Sequence, residues 1–432
     1  MVFSGSVMWS TQPACRANVR ADVPAKRQSS RGLSFVWRWR WSLVVVLGMA
    51  VRVEAAPLPA LREVMQQAAL RAPVVATARV RQRQADATDA AAKLSRWQNP
   101  YFEARSGVAG RNLEAQLDLW FPFEAAGQPD ARRREADANR AWLQAHQSVA
   151  EAQARAWAMR AWGGAVVAAA RVKILQETLQ AAKTEANALD RRAKVGDIRA
   201  QDAHLARMEV TRLQVSADSA QAALQRSLAE LALVLDPPPT AVEVGPELAT
   251  VLPPPDAATL TGLPVVRALS LEADLHGQTR ARLAAEGKPP WMLLLGTGRD
   301  VDGNPRLNAG VAWTVPTSRS NQSEQARSQA ERLRALSEAD RLVRELHVRW
   351  TALHREDQAL AAAVQAMAGD GRSNGAQALA AVIATWRAGK AEWLQVLVAR
   401  RSLAELELQQ LDLLERRWAL RSEWVEWTGG VE

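Results

Sequence analysis

Cysteine is almost absent from this chain of 432 residues: the single one is Cys15. A disulfide-stapled scaffold and a thiolate zinc site are therefore excluded. Histidine is sparse as well. His146, His204, His276, His347 and His354 are scattered, and only His347 and His354, seven residues apart, share a helical face without further ligands nearby. No phosphate loop, nucleotide fingerprint or zinc spacing occurs; Gly296-Thr297-Gly298 lacks both a third glycine and a following helix. No serine or histidine has a motif around it, so nucleophile–base pairing has no foothold. The chain is read as a non-enzyme with no catalytic residue, no cofactor and no metal. Long apolar runs are missing too. None reaches 18 residues, and a spanning helix needs about 20.

A one-signed charge surface is also lacking, despite a net charge of +9. Residues 1–55 hold eight bases (Arg16, Arg20, Lys26, Arg27, Arg31, Arg38, Arg40, Arg52) against Asp22 and Glu54. They contribute +6 and leave +3 for the rest, dispersed over mixed-charge segments. No basic face with aromatic platforms results, so no nucleic-acid partner is expected. The same segment reads as an export signal and N-terminal extension. Arg38 and Arg40 flank a short apolar core, Ser42–Val51, and small residues near Ala55 offer a cleavage point. A chain cut there has no cysteine at its new terminus for a lipid anchor.

What the sequence does contain is a repeat. Ala72-Pro73-Val74-Val75 is echoed by Leu263-Pro264-Val265-Val266, and Asn99-Pro100-Tyr101 by Pro289-Pro290-Trp291. Trp120-Phe121-Pro122 is echoed by Thr314-Val315-Pro316, and Ala193-Lys194-Val195-Gly196 by Trp386-Arg387-Ala388-Gly389. Each echo is weak alone, but all four share nearly one register. The halves are expected at 56–235 and 263–432, joined by a Pro-rich linker at 236–262 that cannot continue a helix. Each half predicts the same order of elements. In the first, a helix over Leu58–Trp97 is followed by strands at Tyr101–Ser106 and Leu113–Phe121. Pro122, Gly127 and Pro129 should stop the sheet. A long helix over Asp130–Arg192 and a second one to about Leu235 flank the turn at Gly196. In the second half, a helix at Pro264–Glu286 precedes strands at Trp291–Gly298 and Arg306–Val315. Helices at Ser323–Ala368 and Trp393–Trp427 follow. Gly163-Gly164 in one half, and Gly369, Gly371 and Gly375 in the other, are expected to break the long helices.

The strands separate this pattern from a plain helical bundle. Leu113, Ala115, Leu117, Leu119 and Phe121 alternate with Glu114, Gln116, Asp118 and Trp120. Leu307, Ala309, Val311, Trp313 and Val315 alternate with smaller or more polar residues. Period two gives one apolar face. At nine or ten residues each strand is long enough to cross a bilayer at a tilt. Four strands cannot enclose a passage, and lipid does not tolerate open sheet edges. Strands in a membrane would therefore need several chains sharing one barrel. Leu113, Leu117, Leu119, Phe121, Leu307, Val311, Trp313 and Val315 are the expected membrane-facing residues, with Trp120 and Trp313 as interface candidates. Leu224, Leu228, Leu231 and Leu235, like Trp418, Trp424 and Trp427, read as helix packing.

The doubled order resembles the TolC-like outer-membrane efflux protein family, over nearly all of the chain after residue 57. The second turn, Trp386-Arg387-Ala388-Gly389 followed by Leu394, Leu397 and Ala399, fits the family's tip; the first has Ala193 where an aromatic is common. The resemblance implies a mainly α fold with a small antiparallel β part. Four strands per subunit would enter a trimeric, twelve-stranded barrel above a long helical periplasmic tube. It also implies a homotrimer in outer-membrane lipid, meeting a periplasmic adaptor (membrane fusion) protein and an inner-membrane transporter. Val195, Gly196, Asp197 and Ile198 with Ala388, Gly389, Lys390 and Ala391 would form the adaptor-docking tip. The function implied is a passive outer-membrane duct of a tripartite exporter. The alternative is a periplasmic coiled-coil adaptor or scaffold without its own channel.

Overall fold

The computed structural model describes residues 57–93, 99–109, 112–243, 245, 248, 250–299, 302–313 and 321–430. The proposed signal segment and Val315 lie outside them. Pro73 splits the first expected helix into α1 (Leu61–Arg71) and α2 (Pro73–Ala92). Ala72, before the proline, is extended at ψ 140, as the proline ring requires, and Pro73 then opens the new helix. Strands β1 (Tyr101–Ala109) and β2 (Asn112–Phe123) follow. Helix α3 (Gln128–Lys194) has 67 residues, about 100 Å at 1.5 Å each. Its basic last turn, Arg191, Arg192 and Lys194, opposes the partial negative charge of the helix end. Helix α4 (Ala200–Leu231) returns alongside it.

A short α5 (Ala257–Gly262) and α6 (Pro264–Glu286) lead to β3 (Trp291–Arg299) and β4 (Pro305–Trp313). Helix α7 (Gln322–Ala366) passes through a π-helical turn, Met367–Gly371, into α8 (Arg372–Arg387); α9 (Trp393–Thr428) returns. Among the described residues the four strands form one antiparallel sheet in the order β1-β2-β3-β4.

Three expectations need correction. Pro122 does not stop the sheet but lies inside β2, paired with Met292. β1 starts at Tyr101, opposite Trp120, so at Pro122 the strand has a neighbour on one side only and no amide is missed. Gly163-Gly164 does not break α3. A Cβ on Gly163 would lie 2.5 Å from Cγ of Trp418, so this glycine lets the α9 indole press against the α3 backbone. Gly369 and Gly371 do not break the second long helix either; they lie in the π turn, and the helix continues through Gly375.

The helices pack as a wall. Near the sheet the order is α2, α3, α6, α7, and farther away it is α4, α3, α9, α8. The main core lies between these levels. There Val64 and Met65 of α1, Val166 and Val167 of α3, Leu231, Trp350, Trp418 and Val425 are all buried. The Pro-rich linker crosses this level as a strap, tied down by side chains. Arg417 Nε donates to Asp357 Oδ1 at 2.8 Å, Nη1 to the Leu248 carbonyl at 3.0 Å and Nη2 to the Thr250 carbonyl at 2.9 Å. Asp357 Oδ2 accepts from the Leu252 amide at 2.8 Å, and Trp350 Nε1 donates to the Pro253 carbonyl at 2.9 Å. A proline-rich segment makes few backbone bonds of its own, so helix side chains satisfy its polar groups. His354 is half-buried here, with Nδ1 2.7 Å from the Leu252 carbonyl oxygen.

Candidate functional sites on the sheet and at the helical tip

Register assigns every described strand residue to a face, because directly paired residues point the same way. Leu117 pairs with Ala104 and Thr297, Leu119 with Phe102 and Leu295, and Phe121 with Leu293. On β4, Leu307 pairs with Thr297, Val311 with Leu293 and Trp313 with Trp291. The backbone register also pairs Leu113 with Val108. Six of the eight expected strand residues, Leu117, Leu119, Phe121, Leu307, Val311 and Trp313, thus share one face. It is open to solvent in the single chain: Phe102 is 74% exposed and Leu307 90%.

The opposite face is polar and ordered in rows. Tyr101 and Trp120 stack with ring centroids 6.1 Å apart and lie level with Leu294 and Gly310. Trp120, an interface candidate in the sequence, is therefore on the polar side; Trp313 is on the apolar one. The next row is Glu103, Asp118, Gly296 and Asn308, and the one beyond is Arg105, Gln116, Gly298 and Arg306. Arg105 donates to Glu103 at 2.8 and 2.9 Å. The Gln116 amide donates to both Asp118 oxygens at 2.9 and 2.8 Å, and the Asp118 carboxylate lies across Gly296, where no Cβ would fit. Asp118 is buried although it sits on an open sheet. Alternation marks Asp118 as polar-facing but carries no signal that it is folded flat.

The two turns far from the sheet are built alike. Gly196 has φ 80 and Gly389 φ 73, a region open to glycine at little cost. The Gly196 amide donates to the Ala193 carbonyl at 3.1 Å and the Asp197 amide to Arg192 at 3.0 Å. The Gly389 amide donates to Trp386 at 2.9 Å and the Lys390 amide to Thr385 at 3.0 Å. This paired bonding closes a helix end through a left-handed glycine and uses carbonyls that would otherwise be orphaned. Val195, Gly196, Asp197, Ala388, Gly389 and Lys390 are exposed, while Ile198 and Ala391 are half-buried. Arg192 Nε donates to Asp197 at 2.5 Å. One apolar cluster, including Leu189, Ala203, Trp393 and Val396, supports both turns, with Ile198 and Trp386 against it. The tip residues expected from the sequence are therefore brought together.

Above the tip, ion pairs bind α9 to the first hairpin. Arg400 meets Glu185 at 2.6 Å, and Glu209 accepts from Arg212 at 2.8 and 3.0 Å and also from Arg401. Burial pushes the Glu209 carboxyl up, but the Arg401 and Arg212 guanidinium groups outweigh it and hold it below its ordinary value. Sequence reasoning missed this cluster, because Glu209 and Arg401 are far apart in the chain. Leu394, already part of the tip pattern in the sequence, is exposed on α9, and sequence reasoning missed Val398, one turn further along the same helix and exposed as well.

Among the described residues no three His, Cys, Asp or Glu side chains stand together as metal ligands, and no helix is long and apolar enough to cross a membrane. No family model matches the chain, and no curated protein matches its sequence. Solved structures do match its fold. The outer membrane protein VceC from Vibrio cholerae is 18% identical with a TM-score of 0.68, covering 86% of this chain and 97% of that one. The open state of the Neisseria gonorrhoeae MtrE outer membrane channel is 14% identical with a TM-score of 0.68, covering 85% and 88%. The Campylobacter jejuni CmeC outer membrane channel is 12% identical with a TM-score of 0.67, covering 86% and 87%. Mostly helical, with one four-stranded antiparallel sheet, the chain has the fold of the TolC-like outer-membrane efflux proteins.

Proposed function

We propose that this chain is the outer-membrane channel subunit of a tripartite efflux or secretion system. It acts as a passive duct, with its sheet in the outer membrane and its helices in the periplasm. The observation that carries this reading is the sheet. It presents one continuous apolar face, one polar face and two unpaired edge strands, β1 and β4. An apolar face suits lipid, but open edges do not, so copies must pair edge to edge. β1 of one copy meets β4 of the next, a head-to-tail contact that closes as a ring. Three copies give the twelve-stranded barrel of the resemblance, with the polar rows facing water.

The two glycine turns at the far end form the docking tip for a periplasmic adaptor, which connects to an inner-membrane transporter. Val195, Asp197 and Lys390 offer an exposed mixed surface, and the shared cluster beneath fixes their spacing. The duct needs no catalytic group, because the transporter supplies the energy. Fractionation, heat-modified gel migration and native mass in detergent test the reading. An outer-membrane, heat-modifiable trimer is expected; a protein extracted as a monomer without detergent overturns it. Adaptor docking is tested separately by replacing Gly196 and Gly389 with valine, which should abolish adaptor binding while leaving the trimer intact.

A further inference from the structure

One side of the junction between α2 and α3 carries two adjoining cavities. The one nearer the sheet is about 360 Å³ and the other about 450 Å³, both in the ~300–1,000 Å³ range of small-molecule sites. Arg81, Leu143 and His146 line both, so the two form one furrow. Its sheet-side half is polar, with Gln84 of α2 and Trp142 of α3. Its far half is more apolar, with Val74, Ala78 and Val149.

No aspartate or glutamate lines either cavity. Arg81, exposed at the rim, has no hydrogen-bond or ion-pair partner among the described residues. Acids on adjoining faces are engaged elsewhere, Asp86 and Asp89 with Arg140, and Glu272 with Arg334 at 2.7 Å. On the α3 wall, Trp142 and His146 are four residues apart and meet edge to face, with ring centroids 4.8 Å apart. Trp142 Nε1 and His146 Nε2 are buried and make no hydrogen bond among the described residues. Buried polar groups are costly to leave unpaired, so this wall gains from a polar partner brought against it. Burial also holds the His146 imidazole below its ordinary value. The ring is then neutral at neutral pH, and Arg81 is the one full charge lining the furrow.

We propose that this furrow binds a small amphipathic monoanion, an organic carboxylate on an apolar body. Its head lies between the Arg81 guanidinium and the Gln84 amide, and a turn of the Trp142 and His146 side chains brings their nitrogens to it. Its apolar body lies along Leu143 toward Val74, Ala78 and Val149. A carboxylate matches the guanidinium fork with two parallel N–H···O bonds. A cation would meet only repulsion from Arg81, and an uncharged apolar molecule would leave the polar half unpaired. A dianion would keep one charge uncompensated in a half-buried groove. All of these residues belong to one copy, so the site does not rest on the ring assembly proposed above. An aromatic acid and a fatty acid share this chemistry, and the test separates them.

The full chain is exchanged into amphipol, and binding of labelled naphthoate and decanoate is followed by equilibrium dialysis. Saturable binding of one acid per chain is expected, and the tighter of the two acids shows whether the body is a ring or an alkyl chain. The neutral alcohol naphthalenemethanol should bind about tenfold more weakly than naphthoate. Arg81→Gln should weaken the acid about tenfold, and Arg81→Lys, which keeps the charge and loses the fork, about threefold. Trp142→Phe, which keeps an aromatic ring and removes the indole N–H, should weaken it about threefold. Equal binding to the unsubstituted chain and to Arg81→Gln, with circular dichroism showing both folded, overturns the site. Equal binding of naphthoate and its alcohol does the same, and so does the lack of saturable binding by either acid. Full affinity in Trp142→Phe overturns the placement of the head. None of these results bears on the channel reading, which stands or falls on the trimer.

Discussion

The two long helical paths of this chain are nearly equal in length and are held by different means. α3 runs unbroken for 67 residues and buries alanine, valine and leucine, with one glycine flush against Trp418. Its counterpart is α7, a five-residue π turn and α8. It buries Asp357 and Trp350 to fasten the strap, and α8 has no fully buried residue. Close backbone contact secures the first half, and buried polar ties secure the second. A repeated order of elements thus fixes where helices lie without fixing what holds them.

The largest effect should come from breaking the polar side of this contrast. Asp357→Ala leaves the Arg417 guanidinium buried without its counter-ion and frees the Leu252 amide. It should cost about 3–5 kcal/mol, read as a lowered midpoint of thermal or denaturant unfolding. A loss below about 1 kcal/mol would mean the strap is not fastened there.

The packing side is tested by two adjacent glycines with opposite expected signs. Gly163→Ala forces a Cβ into the Trp418 ring and should destabilise by about 1–3 kcal/mol. Gly164 has only Ser227 Oγ near, at 4.0 Å, so Gly164→Ala should stabilise by about 0.5–1 kcal/mol through helix propensity. Equal effects at both positions would remove the claim that packing, not winding, explains Gly163. Gly369→Ala, in the π turn with open space around it, should stabilise by up to about 1 kcal/mol. Destabilisation instead would show that the π winding needs glycine.

The smallest effect is at the ties between the hairpins. The Glu209 carboxyl sits below its ordinary value in the folded chain. Its stabilisation is therefore complete at neutral pH and is lost as pH falls through the depressed folded value. Glu209→Gln should lower the unfolding midpoint at neutral pH and flatten its decline in acid. An unchanged acid profile would show that Glu209 does not tie the hairpins.

Much of the architecture is legible in the sequence, for identifiable reasons. Strict alternation from Leu113 to Phe121 fixes a face, because period two leaves no other assignment. Gly196 and Gly389 mark helix reversals, because few other residues accept φ near +80° cheaply. Proline and glycine inside elements are the misleading signals. Pro122 is tolerated because one flank of β2 is open there, and Gly163 is required by a tryptophan 255 positions away. Both facts belong to partners rather than to local sequence. The Arg417–Asp357 tie and the flat Asp118 are illegible for the same reason. Leu333 and Leu336 carry no separate signal in the sequence, since helical period alone cannot tell a buried face from the exposed one they occupy.

The bare stretch of β3 has one more consequence. In a closed ring of strands the backbone radius is set by strand number and tilt. The clear bore is then set by how far side chains reach inward. Each sheet offers Gly296, Gly298 and Gly310 on its polar face, and the Asp118 carboxylate lies down in the space Gly296 leaves. Three such sheets would line the conduit with thin strips of backbone set between the longer Arg105, Gln116 and Arg306 side chains of the same rows, so the bore at that level would be uneven around its rim.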